Sequence, residues 1–213
     1  TDRRPFTPKE RKEMKKLYVF DLDGVLIDSK ANMELAFNKL DTGKPFEDTT
    51  DTFPSYFKHI GKPFKDILTE MGILTDQDEL MRRYNRYSAA NSKLIKFYDG
   101  VEKHLQSLER DGKKLAVVTS KSELRANAIL AEINVNFEII CCPTEGLRGK
   151  PSPDQLLYTL AYCNTDPKDA VYVGDMQVDM DCADRAGVDF IYAEYGYGDI
   201  ECCWNRASSI ESV

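Results

Sequence analysis

Short, continuously apolar segments that alternate with helical segments are the feature that most limits how this chain can fold. Runs of this kind, none with an alternating pattern, occupy residues 17–20, 115–118, 137–142, 170–173 and 190–193. Continuous apolar strands are typical of a parallel sheet that is buried on both faces. Helical patterns lie between them at residues 101–110, 123–133, 154–163 and 179–186. The alternation predicts an α/β fold built on a doubly wound parallel sheet.

Residues 29–98 interrupt this alternation. They contain helical patterns at 31–40, 64–71 and 76–96 but no convincing buried strand. The segment follows the carboxyl end of the first predicted strand, the edge at which open α/β sheets bind their ligands. We therefore predict a helical cap at 29–98, inserted into a catalytic core made of residues 16–28 and 99–213. Residues 1–15 are predicted to be an N-terminal extension, in which a capping box at Thr7 predicts a short helix.

The charge of the chain limits its partners. A formal net charge of −7 disfavours nucleic acid and anionic membrane surfaces as the main partner, but a local pocket can still bind a small anion. No apolar run reaches 18 residues and no secretory signal pattern opens the sequence, so we expect a cytoplasmic protein. The six cysteines form no C-x-x-C pair, and reduced structural thiols are expected. The oligomeric state, monomer or homodimer, is left open.

Polar residues that could carry chemistry follow the first two strands of the core. Asp21 and Asp23 come directly after the first strand and precede Gly24. Two carboxylates at a strand end can divide the work of a nucleophile and a general acid, although an ordinary Asp-Gly turn has the same pattern. Thr119 and Ser120 follow the second strand, where a hydroxyl can bind a phosphoryl oxygen or simply cap a helix.

Two further motifs complete the set. Lys150, between a glycine and a proline, can neutralise a transferring phosphoryl group or can be a solvated loop lysine. Asp175 and Asp179 have the spacing to hold a hard divalent cation, or they can be a turn and an acidic helix start. Each motif alone has an ordinary structural explanation. Their joint occurrence at one edge of one sheet favours a site for phosphoryl transfer.

These motifs resemble those of the haloacid dehalogenase-like phosphatases. Residues 19–29, VFDLDGVLIDS, resemble the first motif of that family, and residues 117–121, VVTSK, resemble the second. The third and fourth are similar to KPSPD at 150–154 and VGDMQVD at 173–179. The resemblance extends from about residue 15 almost to the C-terminus. It implies a Rossmann-like core with an inserted α-helical cap.

The resemblance implies a mechanism for the catalytic residues. Asp21 would attack phosphorus and form an aspartyl-phosphate, while Asp23 would protonate the leaving oxygen and then activate water. Thr119 and Lys150 would hold the phosphoryl oxygens. Because related dehalogenases and phosphonate-cleaving enzymes lack an aspartate at the position of Asp23, both of those reactions are disfavoured.

The resemblance also implies a cofactor and a substrate class. Mg²⁺ would be held by Asp21, the backbone carbonyl of Asp23, Asp175 and, directly or through water, Asp179. The segments HIGKP at 59–63 and YGYG at 195–198 are similar to phosphoglycolate phosphatase-like members. Lys62 and Ser120 are expected to bind the substrate. Further cations of the cap that could meet a substrate carboxylate are Lys58, Arg82, Arg83 and Arg86.

The expected function is that of a magnesium-dependent phosphatase that hydrolyses a small phosphorylated metabolite, with phosphoglycolate as one candidate. A β-phosphoglucomutase-like phosphomutase is the first alternative, since it shares the first motif. A phosphotransferase with an acceptor other than water is also compatible with the sequence. A catalytically silent binding module is disfavoured, because all the motif residues are present.

Overall fold

The computed structural model describes residues 15–40, 53–74, 76–201, 203 and 205–213. The helix predicted near Thr7 and all but the last residue of the predicted extension lie outside the described residues. None of the described helices combines the length and the apolarity that a membrane span requires.

Six parallel strands form the main sheet, in the spatial order β5-β4-β1-β6-β7-β8. A separate antiparallel pair joins β2 to β3. The strands are β1 Leu17–Phe20, β2 Ile27–Asp28, β3 Lys96–Phe97, β4 Lys114–Val118, β5 Ile139–Cys141, β6 Ala170–Gly174, β7 Asp189–Ala193 and β8 Arg206–Ala207. The predicted α/β fold with a parallel sheet is confirmed.

Helices lie on both faces of this sheet, and the central strand shows why. Tyr18 and Phe20 of β1 belong to one apolar cluster, and Leu17 and Val19 belong to the cluster on the opposite face. All four side chains are buried, as a continuous apolar run requires. The helices of the core are α5 Val101–Arg110, α6 Glu123–Leu130, α7 Asp154–Tyr162 and α8 Gln177–Ala186.

We call residues 29–98 the cap segment. Its described residues supply the buried side chains of a third apolar cluster, against which Met176 and Tyr197 of the core also pack. Its helices are α1 Lys30–Asn38, α2 Phe53–Phe57, α3 Phe64–Glu70 and α4 Gln77–Ala90. Aromatic rings dominate this cluster: the Phe37 and Tyr56 centroids are 4.7 Å apart, as are those of Phe64 and Tyr84. That the cap segment is a separate domain stays a prediction.

The sequence misplaced several boundaries. The helix predicted over 76–96 ends at Ala90, and the two-residue strand β3 follows it. Neither residue of β3 is buried, so β3 does not contradict the expectation that this segment lacks a buried strand. A two-residue strand has no periodicity, and only its pairing with Ile27 and Asp28 defines it. For the same reason β8 and the five-residue helix α2 were missed. The described cysteines are free thiols, and four of them are buried.

Candidate active site

Three neighbouring strands deliver the central residues of the site. Asp21 follows β1, Thr119 follows β4 and Asp175 follows β6, and these strands lie side by side in the sheet. Lys150 comes from the loop after β5, with a cis peptide bond to Pro151. Because parallel strands end at one edge of the sheet, residues far apart in the sequence meet there.

A buried lysine links two of the carboxylates. The Lys150 Nζ atom lies 2.8 Å from Asp21 Oδ1 and 2.6 Å from Asp179 Oδ1, and it also donates to the Tyr172 hydroxyl at 3.3 Å. All three charged side chains are almost fully excluded from solvent. Burial favours the neutral amine, but the carboxylates of Asp179 and Asp21 outweigh it and raise the pKa of Lys150 above its usual range. Lys150 is therefore a permanent cation at this edge of the sheet.

Three carboxylates meet beside this lysine. Asp21, Asp175 and Asp179 each offer an oxygen within 4.8 Å of the other two, and all three are buried. Burial raises the pKa of Asp21 to about 7. Lys150 acts to lower this pKa, whereas the carboxylates of Asp179 and Asp23 act to raise it. Burial and the carboxylates of Asp179 and Asp21 raise the pKa of Asp175 well above its ordinary value. One lysine therefore does not compensate the charge of this cluster.

Asp175 provides a further test of whether a cation fits this cluster. Its Oδ2 atom accepts the Tyr197 backbone N–H at 2.7 Å, but its buried Oδ1 atom has no hydrogen-bond partner among the described residues. An unsatisfied buried carboxylate oxygen is costly unless a donor or a cation meets it. Oxygen ligands of this kind suit a hard divalent cation, so the three carboxylates fit a metal.

Glycines close the backbone around Asp175. A Cβ atom on Gly24, which has a φ of +81°, would lie 2.0 Å from Asp175 Oδ2, and one on Gly196 would lie 2.4 Å from Asp175 Cβ. Both positions therefore require glycine for space. The YGYG segment thus packs directly on the carboxylate cluster.

The Asp23 side chain lies apart from the three carboxylates. Its Oδ1 atom is 3.0 Å from Lys121 Nζ and accepts a hydrogen bond from the Ser29 hydroxyl. Burial acts to raise the pKa of Asp23, but Lys121 and Ser29 outweigh it and hold that pKa below its usual value. Asp23 and Asp21 thus occupy different electrostatic environments although only one residue separates them.

A cavity of about 570 Å³ lies between the core and the cap segment. Asp21 and Asp23 line it, together with residues at the start of α6 in the core and aromatic residues of the cap segment. Its other core residues include Thr119, Ser120, Lys121 and Arg125, and its cap residues include Met33, Tyr56, Lys62, Phe64, Tyr84 and Asn85. This volume is in the usual range for small-ligand sites.

The two residues predicted to bind substrate line this cavity but have partners of their own. The Ser120 hydroxyl donates to the Gly61 carbonyl and so joins the core to the cap segment. The Lys62 Nζ atom contacts both Glu70 oxygens, at 2.6 and 2.8 Å. The remaining cap cations named above do not line the cavity.

Sequence reasoning missed two cations at the cavity. The motif comparison assigns no role to Lys121, which belongs to VVTSK, or to Arg125. Lys121 precedes the α6 N-cap at Ser122, and Arg125 lies in the first turn of that helix. Two cations that follow so soon after a hydroxyl residue at a strand end are the signal that could have found them.

Comparison with known proteins agrees with this geometry. Residues 18–193 match the family model described as haloacid dehalogenase-like hydrolase. The chain is 31% identical to the phosphoglycolate phosphatase of Aquifex aeolicus over 188 residues, which cover 85% of this chain and 86% of that protein. It is 32% identical to the tyrosine-protein kinase PtkA of Mycobacterium tuberculosis over 87% of this chain, but it spans only 64% of that protein's length.

A solved structure shows the same fold. The crystal structure of a hydrolase from Pseudomonas syringae superposes with a TM-score of 0.80, covering 93% of this chain and 95% of that one at 20% identity. The resemblance inferred from the four motifs is confirmed by the family model and by the similarity to phosphoglycolate phosphatases. The chain belongs to the haloacid dehalogenase-like hydrolases.

Proposed function

We propose that this protein is a magnesium-dependent phosphatase that hydrolyses a small phosphomonoester through an aspartyl-phosphate on Asp21. The single observation that carries the proposal is the position of Asp21. Its carboxylate is buried at a strand end, is 2.8 Å from Lys150 Nζ, and opens onto the cavity. A carboxylate fixed beside a permanent cation suits attack on a dianionic phosphoryl group, whose charge the lysine offsets.

Asp23 is the proposed acid and base. It lines the same cavity two residues from the nucleophile, where Lys121 and Ser29 hold its side chain in place. The first step requires a protonated Asp23, and the negative charge of a bound phosphoryl group would act against Lys121 and Ser29 by raising the pKa of Asp23. Asp23 then gives its proton to the leaving oxygen, and in the second step it takes one from the attacking water. The buried Thr119 and the cation of Lys150 hold the phosphoryl oxygens during both steps.

Magnesium would be held by Asp21, Asp175, Asp179 and the Asp23 carbonyl. When bound, the ion would supply positive charge that neutralises the phosphoryl oxygens and relieves repulsion among the carboxylates. The orphaned Asp175 Oδ1 atom and the raised pKa values of Asp21 and Asp175 support an ion at this position. Phosphoglycolate is a candidate substrate, and the similarity to the phosphoglycolate phosphatase of Aquifex aeolicus supports it. The cytoplasmic location expected from the sequence also belongs to this proposal.

The test is phosphate release from a panel that includes phosphoglycolate, sugar phosphates and nucleotides, with Mg²⁺ and with chelator. We expect release that requires Mg²⁺ and falls by about 10⁴-fold or more in Asp21→Asn. The matched control is Asp184→Asn, an exposed carboxylate on α8, which should keep full activity. No release from any panel member by the folded, Mg²⁺-supplied protein would overturn the proposal.

Covalent trapping tests the intermediate separately. The protein is incubated with radiolabelled acetyl phosphate and Mg²⁺ and is then quenched in acid. Label that stays on the protein and is released by hydroxylamine identifies an acyl phosphate, and it should be absent from Asp21→Asn. Label that persists in Asp21→Asn would place the nucleophile elsewhere.

A phosphotransferase is the second candidate, and the similarity to PtkA favours it. Such an enzyme would deliver the phosphoryl group to an acceptor other than water. Incubation with radiolabelled ATP and a tyrosine-containing polymer separates the two: transfer of label to the polymer supports the transferase, and release of free phosphate supports the phosphatase. A phosphomutase would instead require a sugar bisphosphate to turn over.

A further inference from the structure

Positive charge accumulates on the core side of the cavity. Lys121 and Arg125 both line it, and both side chains are at least nine-tenths buried. Two carboxylates of the cavity wall are not exposed: Asp21 pairs with Lys150, and the Asp23 side chain, which is 20% exposed, pairs with Lys121 at 3.0 Å. Asp66, Glu123 and Glu145 also line the cavity but are exposed, so water screens their charge. One buried cation of the cavity wall is therefore left without an ion-pair partner among the described residues.

Arg125 is that cation. Among the described residues its hydrogen-bond acceptors are neutral: Nη1 donates to Asn85 Oδ1 at 3.4 Å and Nη2 donates to the Ser88 hydroxyl. Its guanidinium also lies 5.5 Å from the centroid of the Tyr84 ring. No ion pair joins Arg125 to a carboxylate of the described chain. A guanidinium has five N–H donors, so donors remain for a ligand in the cavity.

The two cations of the cap segment that line the cavity differ in this respect. Lys62 pairs with Glu70 at 2.6 Å, and Lys65 pairs with Asp78 at 2.5 Å. Their charges are already compensated within the cap. An anion that enters the cavity would therefore gain more from the core side than from the cap.

We propose that Arg125, with Lys121 beside it, binds a second anionic group, a carboxylate or a phosphate, on the leaving group of the substrate. The inference rests on the proposed phosphatase activity and narrows its substrate class to phosphomonoesters with such a group. The planar fork of an arginine suits both anions, because each presents paired oxygens. Asn85, Ser88 and Tyr84 hold the guanidinium toward the cavity, so its orientation is set before the substrate arrives.

Matched substrates test this role. Ethyl phosphate, phosphoglycolate and ethanediol bisphosphate all have a two-carbon leaving group. This group carries no anion in ethyl phosphate, a carboxylate in phosphoglycolate and a second phosphate in ethanediol bisphosphate. Butyl phosphate and 4-phosphooxybutyrate repeat the comparison at four carbons. We expect kcat/KM to be about 10- to 100-fold higher for an anionic member than for its neutral partner. The preferred anion identifies which of the two groups is bound.

Variants of Arg125 test whether this residue causes the preference for an anionic leaving group. Arg125→Gln should remove most of the preference, Arg125→Lys should keep part of it, and Arg82→Gln, which changes an exposed arginine of the cap, should keep all of it. A purely structural role of Arg125 would lower kcat/KM for neutral and anionic substrates by the same factor, and that result would overturn the proposal.

The wild-type protein alone can also overturn it. Equal kcat/KM for the anionic and neutral members at both chain lengths contradicts the proposal, whether or not Arg125→Gln folds. Failure of the phosphatase proposal looks different, since no member of the series would then release phosphate. Thermal unfolding of each variant shows whether a lost preference accompanies a lost fold.

Discussion

The core site and the cap segment both contain close ion pairs, but the two regions use them in opposite environments. Lys150 lies 2.8 Å from Asp21 with both side chains at most 4% exposed. In the cap, Lys65 lies 2.5 Å from Asp78, and these side chains are 44% and 70% exposed. The distances are similar, so water access makes the difference.

This comparison shows that the distance between two charges does not by itself determine how much their ion pair contributes to stability. The core has removed three carboxylates and one lysine from water, which is costly and leaves the site dependent on complete charge compensation. The cap leaves its pairs solvated, where each contributes little. Its stability depends instead on the aromatic cluster around Tyr56. The proposed binding of a metal and a phosphoryl group would take place in the first environment.

The largest effect is expected from removing the central cation. Lys150→Met leaves Asp21 and Asp179 buried without their partner and should lower the free energy of unfolding by about 3–5 kcal/mol. Lys65→Met, the matched change in the cap, should cause no loss beyond the error of a denaturant titration. Similar losses in both variants would remove the distinction between the two regions.

The next effect is the dependence of stability on pH in the metal-free protein. Burial raises the folded-state pKa of Asp21 to about 7, so its contribution is full below the unfolded pKa and is lost as pH rises through 7. In chelator we expect the free energy of unfolding to fall by a few kcal/mol, roughly 2–4, between pH 4 and pH 8. Mg²⁺ should remove most of this slope. If the free energy of unfolding in chelator does not change with pH, the charge of the carboxylate cluster does not destabilise the folded protein.

A smaller effect separates crowding at the site from backbone strain. Gly24→Ala places a Cβ atom against Asp175 Oδ2, whereas at Gly112, with a similar φ of +73°, a Cβ atom would meet nothing within 4 Å. We expect Gly112→Ala to cost about 1 kcal/mol from strain, and Gly24→Ala to cost roughly 1–3 kcal/mol more. Only Gly24→Ala should weaken the binding of Mg²⁺, measured by calorimetry. Equal costs would mean that the backbone at Gly24 relaxes away from Asp175.

The smallest effect concerns the junction of the two regions. The Ser88 hydroxyl joins Asn32 of α1 to Arg125 of the core, and it is fully buried. Ser88→Ala should lower the free energy of unfolding by about 1–2 kcal/mol, because Arg125 Nη2 loses its acceptor and Asn32 Oδ1 loses its donor. Ser92→Ala, an exposed serine four residues on, should change nothing measurable. If both are neutral, the junction does not contribute to stability.

Much of the sheet and of the carboxylate cluster was predictable, for local reasons. Each core strand is a continuous apolar run, and Asp21, Thr119 and Asp175 each follow directly after such a run. Once strands are known to be parallel and adjacent, these residues must meet at one edge. Short-range patterns failed where an element has no period of its own, as in β3, or where a helix ends early, as α4 does at Ala90.

The sequence by itself thus determined five strands of the main sheet, the helices of the core and which residues stand at the carboxyl ends of the strands, because these depend on apolar runs and on chain order. Only the tertiary structure decided how the charges are partnered. Lys62 pairs inside the cap, Lys121 pairs with Asp23 across 98 residues of sequence, and Arg125 reaches neutral groups of α4. The physical reason is that the effect of a charge depends on its neighbours and on its exclusion from water, and folding sets both.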